Sequence, residues 1–267
     1  MDTTYDVVII GSGLGGLVCG TILAKEGYKV CILERNKQIG GTLQTFVRKR
    51  VIFDSGVHYV GGLEEGQNLY QFFKYLGIMD KLKIRKMDLD SFDSILFEGD
   101  PVEYKYAQGY ERFIRVLSEQ FPGEEAGIRK YCDAIRDVCS KFPMYNLRAG
   151  GLTEKVEALE MAAKKCIETF TSNKKLQNVL AGTNLLYAGE AEKTPFYVHA
   201  LVVNSYIESS YKFLDGGSQI ARLLAKEITS RGGKIVKYAE VTRMIEKEGT
   251  LNHVEVNGNQ VFYAKTF

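Results

Sequence analysis

Gly11-x-Gly13-x-x-Gly16 is the strongest chemical signal in the sequence, and its chemistry is that of bare backbone. Gly11 permits a tight turn. Gly13 lacks the Cβ that would keep a pyrophosphate away from the main chain, and Gly16 lets a helix lie close to a strand. A helix that starts at such a turn turns free N–H groups and the positive end of its dipole toward phosphate. Glu34 follows Gly16 by 18 residues, near the distance at which an acid holds a ribose hydroxyl. The acid suits a nicotinamide or a flavin dinucleotide and disfavours a 2′-phosphate. Gly40-Gly41-Thr42 then offers a second backbone approach, as a longer cofactor requires. The motif's place at the start of the chain points the same way.

These residues need a scaffold, and the flanking pattern supplies one. Val7-Val8-Ile9-Ile10 is a continuous apolar run, as in a parallel strand buried on both faces. Leu14, Val18 and Ile22 recur at helical spacing, and Gly27 ends the helix. Val30-Cys31-Ile32-Leu33 is a second buried strand ending at Glu34. Gly-rich extended chain follows to Gly61-Gly62. The pattern predicts a helix over 68–82 and a hairpin over 94–106 turning at Gly99-Asp100-Pro101.

From about 109 to 208 the periodicity is helical. One face carries Tyr110, Phe113, Ile114 and Leu117. A second carries Ile128, Tyr131, Cys132, Ile135, Val138, Cys139 and Phe142. Thr153 caps a third, with Val156, Leu159, Ala163, Ile167 and Phe170. Thr194-Pro195 begins a fourth, with Phe196, Ala200, Val203 and Ile207. The α/β character returns with a helix over Ile220 to Ile228, a short strand at Lys234-Ile235-Val236, a strand from Val241, and a hairpin turning at Asn257-Gly258.

Composition excludes several classes. The 267 residues suit one or two domains, and 45% hydrophobic content supports a core. A net charge of +2 argues against nucleic acid as a partner. The apolar run near Met1 is too short for an export signal, and no window approaches a membrane span. Five Cys without C-x-x-C spacing read as free thiols in a reducing cytosol. Three scattered His form no metal site, and no G-x-S-x-G elbow is present. His58 and Tyr59 follow a glycine-rich loop where a proton donor could face a cofactor, although a structural role accounts for both. His199 reads as a core or surface residue, His253 as exposed, and Asp54 as a turn residue bonding its own backbone. Lys155, Lys164 and Lys165 give the Thr153 helix a basic side that could rest on a membrane, but its mixed charges better suit a solvated face.

Tyr5-Asp6-Val7-Val8-Ile9-Ile10-Gly11-Ser12-Gly13-Leu14-Gly15-Gly16, Leu33-Glu34-Arg35, Gly40-Gly41-Thr42, Phe53-Asp54-Ser55-Gly56-Val57-His58-Tyr59 and Gly216-Gly217-Ser218 together resemble the phytoene desaturase, carotenoid isomerase and retinol saturase family. Gly41-Thr42 and His58-Tyr59 are closest to the retinol saturase branch. The resemblance implies a Rossmann-like FAD-binding domain of the GR2 type, interrupted by a mainly helical α+β substrate domain. Its implied bounds are 1–75, 76–210 and 211–267. It implies that Gly11, Ser12, Gly13, Leu14, Gly15 and Gly16 hold the pyrophosphate of FAD, with Glu34 and Arg35 at the adenosine ribose. Gly41 and Thr42 belong to the second loop, and Val241 meets adenine through its backbone. The implied substrate is a hydrophobic polyene or isoprenoid in an apolar tunnel walled by the middle helices, with NAD(P)H a candidate reductant.

Saturation of a double bond is the leading reaction. Desaturation and cis–trans isomerisation stand close behind. A non-catalytic prenyl-binding protein, an amine oxidase and an NAD-dependent dehydrogenase are weaker readings. Peripheral membrane contact and oligomeric state stay open. Family members run to about twice this length and close on a late Gly-Asp motif. This sequence ends at Phe267 on an apolar strand, which predicts an open sheet edge and an N-terminal half of a longer enzyme.

Overall fold

The computed structural model describes residues 4–151 and 161–267. Thr153, Lys155, Val156 and Leu159 fall outside the described residues. The chain divides into two compact units. One comprises 1–59, 71–85 and 212–267, and the other 60–70 and 86–211.

The first unit is built on a six-stranded sheet. Thr4–Ile10 lies at its centre, parallel to Val30–Glu34 on one side and Gln260–Thr266 on the other. Lys234–Lys237 extends the sheet beyond Val30–Glu34, again in parallel. Thr250–Val256 and Val241–Lys247 add an antiparallel meander on the other side. Val30 through Glu34 is buried at every position, as a strand covered on both faces must be. The expected open edge at the last strand is therefore not found: Gln260–Thr266 is paired on both sides. Asn257 and Gly258 both take positive φ, giving the tight turn that Asn-Gly favours.

Helix Leu14–Lys25 follows the first strand. It buries Leu17, Gly20, Thr21 and Ala24, not the Leu14, Val18 and Ile22 face that the apolar spacing predicted, and Leu14 is 44% exposed. The reason is close approach. A Cβ on Gly20 would sit 2.9 Å from Ile32 Cδ1, so small residues mark the contact side. Gly27 closes the helix with φ +87°. Its N–H bonds Ala24 O, and Tyr28 N–H bonds Leu23 O.

The second unit is mainly helical. Tyr110–Gln120 and Glu125–Ser140 carry the predicted apolar faces, with Phe113, Leu117, Ile128, Tyr131 and Ile135 essentially inaccessible. The described part of the third helix is Ala163–Phe170, followed by Lys174–Leu180. Phe196–Glu208 starts as predicted, but Thr194 does not cap it. Thr194 Oγ1 instead accepts from Glu190 N–H at 2.8 Å. The predicted hairpin is shorter than its apolar pattern suggested: Asp93–Ile95 pairs with Tyr104–Tyr106, and Leu96 is exposed.

Candidate functional site

The dinucleotide motif forms a turn whose glycines do different work. Gly11 takes φ +96°, a region costly to any residue with a Cβ. A Cβ on Gly16 would lie 2.2 Å from Gly11 O and 3.3 Å from Ile9 Cγ2. Gly16 therefore sets the packing of helix against strand. A Cβ on Gly13 or Gly15 would meet nothing within 4 Å. Those two glycines face open space, where the backbone can receive a ligand. No side chain caps the helix N-terminus at Gly13, and no acid occupies its first turn. Its leading N–H groups and dipole thus suit a phosphate.

The second glycine loop completes this turn. Gly40 N–H donates to Ser12 O at 2.9 Å. A Cβ on Gly41 would come within 3.2 Å of Gly13 Cα. The loops at 11–16 and 40–42 are thus one backbone cradle. Thr42 is exposed on the short helical turn Gly41–Leu43.

Glu34 is 6% exposed, and its carboxylate is already engaged. Oε2 accepts from Ser12 N–H at 3.0 Å and Ser12 Oγ at 2.6 Å, while Oε1 accepts from Asn36 N–H at 2.8 Å. Burial opposes its charge, but the bonds from Ser12 and Asn36 outweigh that and hold the carboxyl below its ordinary range. The acid therefore first braces the phosphate turn through Ser12. Oε1 keeps acceptor capacity for one hydroxyl more. Spacing alone did not reveal this bracing. The pairing of Ser12 with the strand-end acid is the signal that could have done so.

A cleft of about 400 Å³ opens beside Glu34, lined by Ile10, Gly11, Arg35, Glu240 and Val241 among others. Val241 thus meets Glu34 at one hollow. Glu240, which sequence reasoning missed, adds a second acid there. Arg35 is exposed.

Asp54 corrects another expectation. Its Oδ1 accepts from Gly217 N–H at 2.7 Å, 163 residues along the chain. Thr45 Oγ1 bonds Ser218 Oγ at 3.2 Å beside it. A Cβ on Gly216 would strike Thr45 Cγ2 at 2.5 Å and Asp54 Oδ1 at 2.8 Å. The two motifs at 53–56 and 216–218 are therefore one structural clasp. His58 is exposed and Tyr59 half-buried, and neither lines the 400 Å³ cleft. His253 is half-buried against the Tyr263 ring, not exposed as expected.

In the helical unit, His199 is fully buried. Its Nε2 meets Tyr131 OH at 2.7 Å and its Nδ1 meets Tyr187 OH at 2.8 Å. Burial pushes the imidazole down to about 4, so it is neutral at pH 7. A neutral imidazole has one donor and one acceptor, so one tyrosine gives a proton and the other receives one. A hollow of about 350 Å³ in the same unit is lined by Gln67, Arg136, Tyr145, Asn204 and Glu208 among others, a mixed lining in place of an apolar wall. Among the described residues, no cluster of His, Cys, Asp and Glu could hold a metal. No helix of the described residues is long and apolar enough to cross a membrane.

Parallel sheet, glycine turn and strand-end acid define a Rossmann-like dinucleotide-binding fold. Residues 9–76 match the NAD(P)-binding Rossmann-like domain family. Among the relatives are proteins named for a reductase of all-trans-retinol and an isomerase of prolycopene. The chain is 34% identical to the all-trans-retinol 13,14-reductase of Homo sapiens over 90% of its own length and 42% of the relative's. It is 28% identical to prolycopene isomerase 1, chloroplastic, of an Oncidium hybrid cultivar, over 98% of its length and 47% of the relative's. The chain thus spans less than half the length of these curated relatives. Its fold matches the CLA-producing fatty acid isomerase from P. acnes with TM-score 0.67 at 16% identity, over 99% of this chain and 58% of that one.

Proposed function

We propose that this chain supplies the dinucleotide-holding part of an FAD-dependent oxidoreductase acting on C=C bonds of a polyene or isoprenoid lipid, most like a retinol saturase. The observation that carries the reading is the doubled glycine cradle. Gly41 packs on Gly13 beside a cleft that already joins Glu34 to Val241. One glycine turn suffices for a pyrophosphate. The second loop and the adjoining cleft suit a ligand that continues on both sides of it.

In this reading the N–H groups at Gly13 to Gly16 bind the pyrophosphate, and Glu34 Oε1 accepts from an adenosine ribose hydroxyl. Val241 and Ile10 flank the adenine. Ser12 keeps Glu34 ionised and correctly turned. Gly41 and Thr42 border the path toward the flavin. When bound, the flavin supplies hydride chemistry at a carbon–carbon double bond. Net reduction also needs an external electron source, for which NAD(P)H is the chemical class. Isomerisation is the second reading, favoured by the prolycopene isomerase similarity, and needs no net reductant.

Titrating the purified protein with FAD, read by quenching of flavin fluorescence, tests the cofactor. Saturable quenching that Gly13→Val abolishes supports the reading, and absence of quenching in the wild type overturns it. Mass spectrometry after incubation with FAD and NADPH and either all-trans-retinol or prolycopene separates the reactions: a product heavier by two hydrogens means reduction, and an isobaric product means isomerisation.

A further inference from the structure

Ala239, Glu240 and Val241 form part of the lining of the 400 Å³ cleft beside Glu34. With Tyr238 they make the irregular link between strands Lys234–Lys237 and Val241–Lys247. Tyr238 takes φ +54°, a region costly to a bulky side chain, so the link needs outside support. On one side, Ala239 N–H donates to Glu34 O at 2.8 Å. On the other side stands Asn257. Its Nδ2 donates to Tyr238 O at 2.7 Å, and its Oδ1 accepts from Glu240 N–H at 3.0 Å. Its own N–H donates to Glu240 O at 2.9 Å. One residue, 17 and 19 positions along the chain, thus satisfies three backbone groups of the link.

The hairpin turn alone does not require asparagine. Asn259 N–H closes the turn on Val256 O at 3.2 Å, around Asn257 and Gly258 with φ +53° and +75°. Turns of that shape also take Gly or Asp at the first of these positions. Gly has no side chain to bond the link, and an ionised Asp has no donor for Tyr238 O. Asparagine serves the turn and the link together. We propose that Asn257 is a positioning residue for the adenosine end of the dinucleotide site. It does not line the cleft itself. It fixes the backbone at Glu240 and Val241, where they face Glu34 across the cleft. The proposal rests on the reading of that cleft as the adenosine subsite.

Titration of the full chain with FAD, by fluorescence quenching, and with ADP, by calorimetry, tests it. Asn257→Gly and Asn257→Asp both suit the turn but lose bonds to the link. Each should bind FAD and ADP about tenfold more weakly, the size of one or two net hydrogen bonds, with unchanged far-UV circular dichroism. An equal loss for ADP, which carries no flavin, places the defect at the adenosine end. Gly258→Ala strains the same turn but keeps the Asn257 amide. It should lower the urea midpoint and leave both affinities near wild type. Wild-type affinities in both Asn257 variants overturn the proposal, and so does a loss confined to FAD. An equal affinity loss in Gly258→Ala marks general loosening of the hairpin and also overturns it. Wild-type protein that binds ADP but not FAD overturns the flavin reading alone, and the ADP titrations then decide the role of Asn257. Binding of neither overturns both.

Discussion

Two buried ionisable groups, one in each unit, are kept in opposite states by different means. Glu34 stays charged because three donors point at it and outweigh the burial that opposes its charge. His199 stays neutral because burial disfavours its charge, and its two hydroxyl neighbours are satisfied by an uncharged ring. Burial decides the outcome at His199 and is outweighed at Glu34. The polarity of the partners makes that difference: charge-favouring donors mark a site prepared for a ligand, and neutral hydroxyls mark a core network that holds helices together.

The sharpest way to break this contrast is at Gly16. Gly16→Ala places a Cβ 2.2 Å from a carbonyl oxygen, so the first strand and helix must separate. We expect a loss of about 3 kcal/mol or more in urea unfolding, at or above the usual range for overpacking. Gly15→Ala, whose Cβ meets open space, should leave stability within about 1 kcal/mol, the ordinary helical preference for Ala over Gly.

The pH dependence sharpens it next. His199 is lowered from 6.5 to about 4, so the unfolded chain takes up its proton first as acid is added. Its contribution is fully present above pH 6.5, falls as pH drops toward 4, and is lost below. About 3 kcal/mol separates the two limits. His199→Phe should flatten that part of the stability curve while costing about 2 kcal/mol at pH 7, because both tyrosine hydroxyls lose the imidazole and Tyr131 keeps only a long bond to Leu180 O.

Glu34 is also lowered, so its contribution is present above 4.5 and is lost as pH falls through the folded value. Glu34→Gln should cost about 1–2 kcal/mol at pH 7 and remove the acid-side loss. It should also weaken FAD binding more than it weakens folding. The smallest effect concerns thiols. Cys31, Cys132, Cys139 and Cys166 are buried and pushed up to about 11–12, whereas Cys19 is exposed. A disulfide reagent on native protein should therefore titrate one thiol, and five after denaturation.

What could be read from the sequence follows the same division. The cradle was legible because backbone sites demand glycine at fixed spacing, and Gly11, Gly13, Gly16 and Gly41 stand within 31 residues. The Asn257-Gly258 turn and the buried strand Val30–Glu34 were legible for similar local reasons. The helical spacing located helix Leu14–Lys25 but misjudged its inner face, because Gly20 and Ala24 approach the sheet where larger residues cannot. Asp54 was read locally, yet its partner is Gly217. Tyr131, Tyr187 and His199 carry no shared spacing, so only packing brings them together. The turn at Lys49-Arg50, which joins Thr45–Arg48 to Val51–Asp54 with φ +48° and +66°, carries neither Asn nor Gly and so no local turn signal.

The first strand has a further consequence for synthesis. Thr4–Ile10 pairs with Gln260–Thr266, and Asp6 is bridged to Lys265, 259 positions later. At about 5–20 residues per second, this strand waits on the order of ten seconds or more for its second neighbour to emerge from a ribosome. Residues 86–211, with their contiguous helices, are complete well before then. The apolar Val7–Ile10 segment thus keeps one strand edge unpaired throughout that interval.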